Sequence, residues 1–163
     1  MNNTQLIVYN NIINRRSIRK FKNAEISTDQ LKIILEAGDA APSAGNLKSR
    51  EIRALTDRED IEFVINYIYS SRVLKGLSEF KNASTLILLI ANVPRCRTKY
   101  KRGFLYSIQD ATLAGQNILL MASALGLGSC WVGQVKEFKI LNRFHIDSDH
   151  KLVGIIALGH IAE

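Results

Sequence analysis

Cysteine is scarce in this chain, with only Cys96 and Cys130 among 163 residues. Two cysteines make no disulfide framework, and no C-x-x-C motif occurs. We interpret Cys130 as a small buried hydrophobe rather than a redox-active thiol. The three histidines share no ligand-like spacing with a cysteine or a carboxylate pair, so we predict no metal site.

Long apolar runs are also absent, since none approaches the roughly 18 residues that a bilayer crossing needs. The N-terminal segment MNNTQLIVYNNIINRR lacks the basic start, apolar region and cleavage site of a secretory signal. We therefore expect a cytoplasmic protein without membrane association. Neither G-x-G-x-x-G nor G-x-x-x-x-G-K-S/T occurs, which argues against a doubly wound nucleotide-binding fold.

Acidic residues are fewer than basic ones, and the formal net charge is +7. The densest basic cluster has no acid within it and consists of Arg95, Arg97, Lys99, Lys101 and Arg102. We interpret this 95–102 segment as a solvated basic loop; the alternative is a patch that binds an anion or nucleic acid. Nucleic acid is the less favoured partner because no recognisable nucleic-acid-binding signature accompanies the cluster.

Hydrophobic spacing predicts one domain over residues 1–163, with no repeat or linker. Ser27 with Gln30, and Thr56 with Glu59, each form a capping-box pattern that begins a helix. Further helices are predicted over 4–14, 106–125 and 136–144. Strands are predicted over 50–56, 84–91 and 152–158, the last two buried on both faces. Long helices with a few strands indicate an α+β sandwich.

The segment 15–19 (RRSIR) places three guanidinium groups and one hydroxyl directly after the first predicted helix. Guanidinium groups are planar, permanently charged donors that match phosphate oxygens, so the segment suits a phosphate monoester. Taken alone, it is more typical of a solvated basic helix end that complements the helix dipole.

Two further segments are rich in small residues. The segment 41–47 (APSAGNL) would let a backbone approach a flat ligand closely, while Ser43 and Asn46 supply polar groups. The segment 126–133 (GLGSCWVG) contains three glycines and would expose backbone N–H groups. Taken alone, the first is typical of a helix-to-strand loop and the second of a tight connection that ends a helix.

In this order and spacing, the three segments resemble those of the FMN-dependent nitroreductase family. The family's R-R-S-x-R-x-F motif corresponds to 15–21, its P-S-A-G-N-L loop to 42–47, and its D-A-x-x-A-x-Q-N helix with G-L-G-S-x-W-x-G to 110–133. The remaining matches are Phe80, Asn82, Ala83 and 157–159. The resemblance covers nearly the whole chain. It implies a nitroreductase-like α/β sandwich in which helices flank a central, mostly antiparallel sheet.

The resemblance further implies a homodimer with FMN bound at the subunit interface. Arg15, Arg16 and Ser17 would hold the FMN phosphate. Arg19 would lie near the pyrimidine edge, where a fixed cation favours the reduced flavin.

Gly128 and Ser129 would, by the same resemblance, line the flavin near its reactive edge. The flavin of the second subunit would be contacted by four further residues of this chain: Pro42, Ser43, Asn46 and Lys48. No side chain is predicted to act as a catalytic acid or base. Asp110 is interpreted as structural, either at a helix start or as a supporting partner.

The chain departs from the family pattern in three respects. Lys48-Ser49-Arg50 stands where relatives often have Q-P-W, which changes the contact to the flavin of the second subunit. The chain is short, with little room for inserted helices over the substrate pocket. It ends at 159–163, where relatives usually continue with a phosphate-contacting cation. We expect that loss to weaken FMN binding by about 1.5–3 kcal/mol, the strength of one charged hydrogen bond.

The implied activity is an NAD(P)H oxidoreductase that reduces nitroaromatics, quinones or similar acceptors through flavin N5. Two alternatives remain open at this point. The first is a flavin-binding family member with little or no turnover, which the Lys48-Ser49-Arg50 departure motivates. The second is an anion- or nucleic-acid-binding module that uses the basic 95–102 segment.

Overall fold

A computed structural model describes residues 2–68 and 80–162. Within these residues, the centre of the molecule is a four-stranded sheet in the spatial order β1-β2-β4-β3, and all neighbouring strands are antiparallel. The strands are β1 (Arg50–Leu55), β2 (Thr85–Ala91), β3 (Gly128–Val132) and β4 (Lys151–Gly159). The predicted mostly antiparallel sheet is therefore confirmed, and β1 and β3 are its edge strands.

Helices flank this sheet in the described part of the chain. They are α1 (Asn3–Asn14), α2 (Thr28–Asp39), α3 (Arg58–Ile65), α4 (Val93–Arg97), α5 (Gly103–Ala124) and α6 (Glu137–Arg143). A short 3-10 turn, Ala44–Asn46, connects α2 to β1. None of the described helices combines the length and apolarity that a membrane crossing requires.

Strand β2 divides the core into two layers because its side chains point alternately to the two faces of the sheet. Leu86, Leu88 and Ile90 pack in the layer that contains α3 and α6. Ile87 and Leu89 pack in the opposite layer, with α2 and α5. Every residue of β2 is buried, which confirms the prediction of a strand buried on both faces.

Helix ends follow the sequence signals in two cases. The Ser27 and Gln30 capping box begins α2 as predicted, with both reciprocal hydrogen bonds present. Gly126 ends α5 in the left-handed region, at φ +72°. The prediction for α3 is wrong by one residue: Asp57, not Thr56, caps it and accepts hydrogen bonds from two backbone N–H groups. A carboxylate also complements the helix dipole better than a hydroxyl.

Two predicted loops are partly regular structure. The first half of the basic 95–102 segment belongs to α4, where the Asn92 side chain accepts a hydrogen bond from Arg95 N and Pro94 occupies the first turn. The glycine-rich 126–133 segment is largely the buried strand β3, whose residues pair with β4. Cys130 is buried in β3, as predicted.

Candidate cofactor-binding site

The first half of the candidate site is the segment 15–19, which lies beside the edge strand β3. Ser17 forms a parallel bridge with Ser129, and Ile18 N donates a hydrogen bond of 2.9 Å to Ser129 O. Phe21 then pairs with Ile161. The main chain thus brings the 15–17 segment and Ser129, more than a hundred residues apart in sequence, into one place.

A cleft of about 220 Å³ opens between these two segments, and Arg15, Arg16 and Ser129 are among its lining residues. Arg15 is half-buried, whereas Ser17 and Arg19 are exposed. Among the described residues, no carboxylate forms an ion pair with Arg15 or Arg19. The donor set suits an anion, because a phosphate monoester accepts hydrogen bonds from guanidinium and hydroxyl groups.

Arg16 has a second role in the folded chain. Its guanidinium donates to the carbonyl oxygens of Ile13, at 2.7 Å, and Arg15, at 3.0 Å. These contacts satisfy carbonyl groups at the C-terminal end of α1, where a cation is favourable. Arg16 therefore supports the turn that presents Arg15 and Ser17.

The second half of the candidate site is the loop 42–50, which is fixed to α5 by Asp110. This carboxylate is 2% exposed and accepts hydrogen bonds from Ala44 N at 2.9 Å and Ser49 N at 3.1 Å. The Ser43 hydroxyl accepts a further hydrogen bond from Lys48 N. Asp110 lies well inside α5 rather than at a helix start, so its supporting role is the correct alternative.

The backbone of this loop is strained. Asn46 and Lys48 have φ values of 57° and 47°, in the left-handed region that residues with a Cβ rarely adopt, whereas Gly45 occupies the same region at 55° without strain. Such strain persists only where the surroundings determine the conformation, and Asp110 supplies that constraint here. Pro42 and the side chain of Asn46 are exposed, so the loop presents both to its surroundings.

Lys48 and Arg50, which depart from the family pattern, both make contacts within their own chain. The Lys48 ammonium pairs with Asp39, and its hydrogen bond holds the pKa of the Asp39 carboxyl below the ordinary value. The Arg50 guanidinium is 5% exposed and donates to the carbonyl oxygens of Asp39, at 2.8 Å, and Ala41, at 2.9 Å. Arg50 therefore caps the C-terminal end of α2.

Sequence reasoning missed this role of Arg50 because its partners are backbone carbonyls, which carry no sequence signal. A signal existed for Asp110, since it is a carboxylate on the apolar face of the predicted long helix.

The two halves lie at opposite ends of α5. Asp110 holds the second half from the N-terminal half of the helix, whereas the cleft of the first half is lined by Ser123 and Gly126 at its C-terminal end. The 13 residue steps from Asp110 to Ser123 correspond to about 20 Å of helix at 1.5 Å per residue. Within one chain, the predicted site residues form two separate groups.

The fold and the order of the motifs are those of one class of proteins, the nitroreductase family. The chain belongs to this family. The model of the Nitroreductase family matches residues 12–79 and 66–160. The resemblance predicted from the three segments is confirmed.

Individual relatives agree with this assignment. The chain is 34% identical over 122 residues to a protein of Archaeoglobus fulgidus named as an NADH dehydrogenase/NAD(P)H nitroreductase, an alignment that covers 75% of this chain and 64% of that protein. It is 28% identical over 138 residues to the NADPH-flavin oxidoreductase of Vibrio harveyi, covering 84% and 56% of the two chains. This chain thus spans less than two thirds of the length of either relative.

A solved structure confirms the fold. The FMN-dependent nitroreductase of Clostridium difficile R20291 superimposes with a TM-score of 0.79 at 29% identity, covering 95% of this chain and 88% of that one. The α+β nitroreductase-like sandwich predicted from the sequence is therefore correct.

Proposed function

We propose that two copies of this chain bind FMN and oxidise NAD(P)H, passing the hydride to a small acceptor such as a nitroaromatic or a quinone. The observation that carries this proposal is that Arg15 and Ser129 line one cleft beside an edge strand, where Ser17 is bridged to Ser129. Family membership, and the FMN, flavin and NAD(P)H named for the relatives, support the same cofactor and reductant.

FMN fits the chemistry of the first half-site. A phosphate monoester needs charged donors, and Arg15 provides one at an open cleft. The exposed Ser17, bridged to Ser129, adds a neutral hydroxyl donor. The cleft of about 220 Å³ is smaller than the roughly 300–1,000 Å³ typical of sites for small molecules. It suits the phosphate end of FMN, and the rest of the cofactor needs further walls.

A second copy of the chain supplies those walls in this proposal. Helix α1 buries none of its residues within the subunit and exposes an apolar set, which is Leu6, Ile7, Val8, Tyr9, Ile12 and Ile13. Phe104, Leu105 and Leu113 of α5 are also exposed. Apolar surface of this extent marks an association site. A two-fold axis would place the loop 42–50 of each subunit against the 15–19 segment of the other.

In the assembled site, the roles of the residues follow from their charge and position. Arg15, Arg16 and Ser17 bind the phosphate, and Arg16 also keeps the turn in place. Arg19 holds a positive charge at the pyrimidine edge, which favours the reduced cofactor. Gly128 and Ser129 form the floor, while Pro42, Ser43, Asn46 and Lys48 approach from the other subunit. FMN bound there would supply the hydride-transfer chemistry that these residues orient and tune.

The overall reaction balances without a catalytic side chain. NAD(P)H loses a hydride and becomes NAD(P)+, and the acceptor gains that hydride together with a proton from solvent. The chain contributes orientation, cofactor electrostatics and exclusion of water.

The visible spectrum of the purified protein is the first test. We expect a yellow protein that releases FMN, not FAD, on heating, and that bleaches when NAD(P)H is added without oxygen. Light scattering should give about twice the subunit mass of 18.3 kDa. Recovery of FAD, a failure to take up excess FMN, or a flavin-loaded monomer would each contradict the proposal. Yellow colour without NAD(P)H oxidation would instead support the flavin-binding alternative.

A further inference from the structure

The basic segment 95–102 lies directly beside the loop 42–50. The Arg95 guanidinium donates a hydrogen bond of 2.8 Å to Lys48 O. Tyr100 and Lys99 lie over Gly45: a Cβ placed on this glycine would be 3.3 Å from Lys99 Nζ and would collide with the Tyr100 hydroxyl. The segment therefore has a fixed position at the edge of the second half-site.

The positive charges of this segment are not neutralised by carboxylates. In the part of the chain that the structure describes, none of its five cations forms an ion pair, whereas Lys48, Arg58, Arg143 and Lys151 all do. Three of these cations lie over aromatic rings instead: Arg97 over Phe104 at 6.0 Å, Lys99 over Tyr100 at 5.7 Å and Arg102 over Tyr106 at 5.6 Å. Aromatic rings orient a cation but leave its charge available to an anion.

We propose that Lys99, Lys101 and Arg102 bind the phosphates of the nicotinamide nucleotide and make NADPH the preferred reductant over NADH. This inference rests on the proposed function, which brings the loop 42–50 to the flavin of the other subunit. A nucleotide lying over that flavin would extend its phosphates towards the adjacent cations. NADPH carries one phosphate monoester more than NADH, and clustered cations discriminate by that additional charge.

A nucleic acid fits this surface less well than a dinucleotide. Tyr100 and Tyr106 pack edge to face on each other, with ring centroids 5.5 Å apart, so neither ring is a free stacking platform. Arg95 is already bound to the Lys48 carbonyl. The remaining cations cover a short stretch, which suits a few phosphates rather than an extended backbone.

The test is a double charge reversal, Lys99→Glu with Lys101→Glu, compared with Lys32→Glu and Lys139→Glu. The control pair changes the net charge equally, and both of its residues are exposed on other helices, α2 and α6. We expect kcat/KM for NADPH to fall at least about tenfold through KM, a loss of the size that one charged hydrogen bond gives. The loss with NADH should be smaller, and the FMN content should stay unchanged.

Equilibrium dialysis of NADP+ provides a readout without turnover. The Kd of NADP+ should rise in the Lys99/Lys101 variant by about the factor by which kcat/KM for NADPH falls. The rise in Kd and the fall in kcat/KM should both shrink at high salt. An unchanged Kd, an equal loss in the control pair, or displacement of NADP+ by duplex DNA at physiological salt would overturn the inference. A wild-type protein that holds FMN and uses both nucleotides equally would overturn this inference alone, whereas one that takes up no FMN would overturn the proposed function.

Discussion

The two halves of the candidate site are held in place by different means. The 15–19 segment is fixed by main-chain hydrogen bonds to β3 and by the contacts of Arg16 with two carbonyl oxygens, and none of its cations is buried. The loop 42–50 is fixed by buried charged side chains, Asp110 on one side and Arg50 on the other. The first half keeps its shape through backbone pairing that many sequences could provide. The second half depends on a few particular side chains, so single substitutions should damage it more.

The largest expected effect follows from Asp110→Ala. This change leaves the buried N–H groups of Ala44 and Ser49 without acceptors, and we expect it to lower the free energy of unfolding by about 3–4 kcal/mol. Asp110→Asn keeps one acceptor and should cost about half as much. Urea unfolding measures both changes, with the exposed Asp147→Ala as the control.

Hydrogen exchange locates the damage from Asp110→Ala. Amide protection should fall at 44–49 and persist at 17–22, because the two halves are held independently. Equal loss of protection at 44–49 and at 17–22 would show that one network holds both halves. The two halves would then not be held by different means.

The next largest effect should come from Gly45→Ala. A Cβ here would collide with the Tyr100 hydroxyl, and alanine would have to adopt a φ of 55°. The expected cost is about 2–3 kcal/mol, of which the left-handed backbone alone accounts for about 1–2. Combining the change with Tyr100→Phe should restore only the part of the unfolding free energy that is lost to the collision with the hydroxyl.

Gly133→Ala is the matched control for Gly45→Ala. A Cβ at Gly133 would meet its nearest neighbour at an ordinary 3.5 Å, and this glycine does not have a positive φ. Thermal unfolding should therefore show almost no change. Full rescue of Gly45→Ala by Tyr100→Phe would mean that the left-handed backbone at position 45 costs alanine nothing.

The sequence predicts the two halves unequally, because motif spacing and periodicity carry no signal for side chains that bind backbone groups. Motif spacing identified the 15–19 segment, and hydrophobic periodicity predicted α5 and the buried strand β2. Periodicity could not show that Arg50 turns inward to cap α2, because its partners are carbonyl groups of a loop. Nor could it show that the glycine-rich 126–133 segment becomes the strand β3, since that depends on pairing with β4, distant in sequence.

In the first half, single substitutions should affect the cofactor rather than the fold. If Arg15 binds the FMN phosphate as proposed, Arg15→Gln weakens FMN equally in both redox states, so FMN should dissociate more readily with little change in potential. If Arg19 lies at the pyrimidine edge as proposed, Arg19→Gln removes a cation that favours the reduced cofactor, a loss of about 1–3 kcal/mol. Because 30 mV corresponds to about 1.4 kcal/mol for two electrons, the potential should fall by some tens of millivolts.

A redox titration with each variant saturated in FMN separates these two roles. Unfolding free energies should stay close to the wild-type value, since both guanidinium groups lack a carboxylate partner in the described residues. A shift in potential for Arg15→Gln, with none for Arg19→Gln, would reverse the assignment. A large loss of stability in either variant would mean that side chains also hold the first half.

The smallest effect should come from the exposed pair of Asp39 and Lys48, although it lies in the second half. Both side chains are about half exposed, at 62% and 47%, so solvent screens the pair and Asp39→Asn should cost about 0.2–1 kcal/mol at pH 7. Lys48 lowers the pKa of Asp39 in the folded chain, so this stability is fully present above the ordinary value of 3.8. It is lost as the pH falls through the lowered pKa.

Unfolding of wild type and Asp39→Asn from pH 7 to pH 2 should therefore give two curves that converge at the acidic end, and 1 M salt should bring them together at every pH. If Asp39→Asn instead cost as much as Asp110→Ala, the strained Lys48 backbone would depend on its surface ion pair. The buried Asp110 would then not distinguish the second half from the first. The exposed pair of Asp39 and Lys48 would hold the loop equally well.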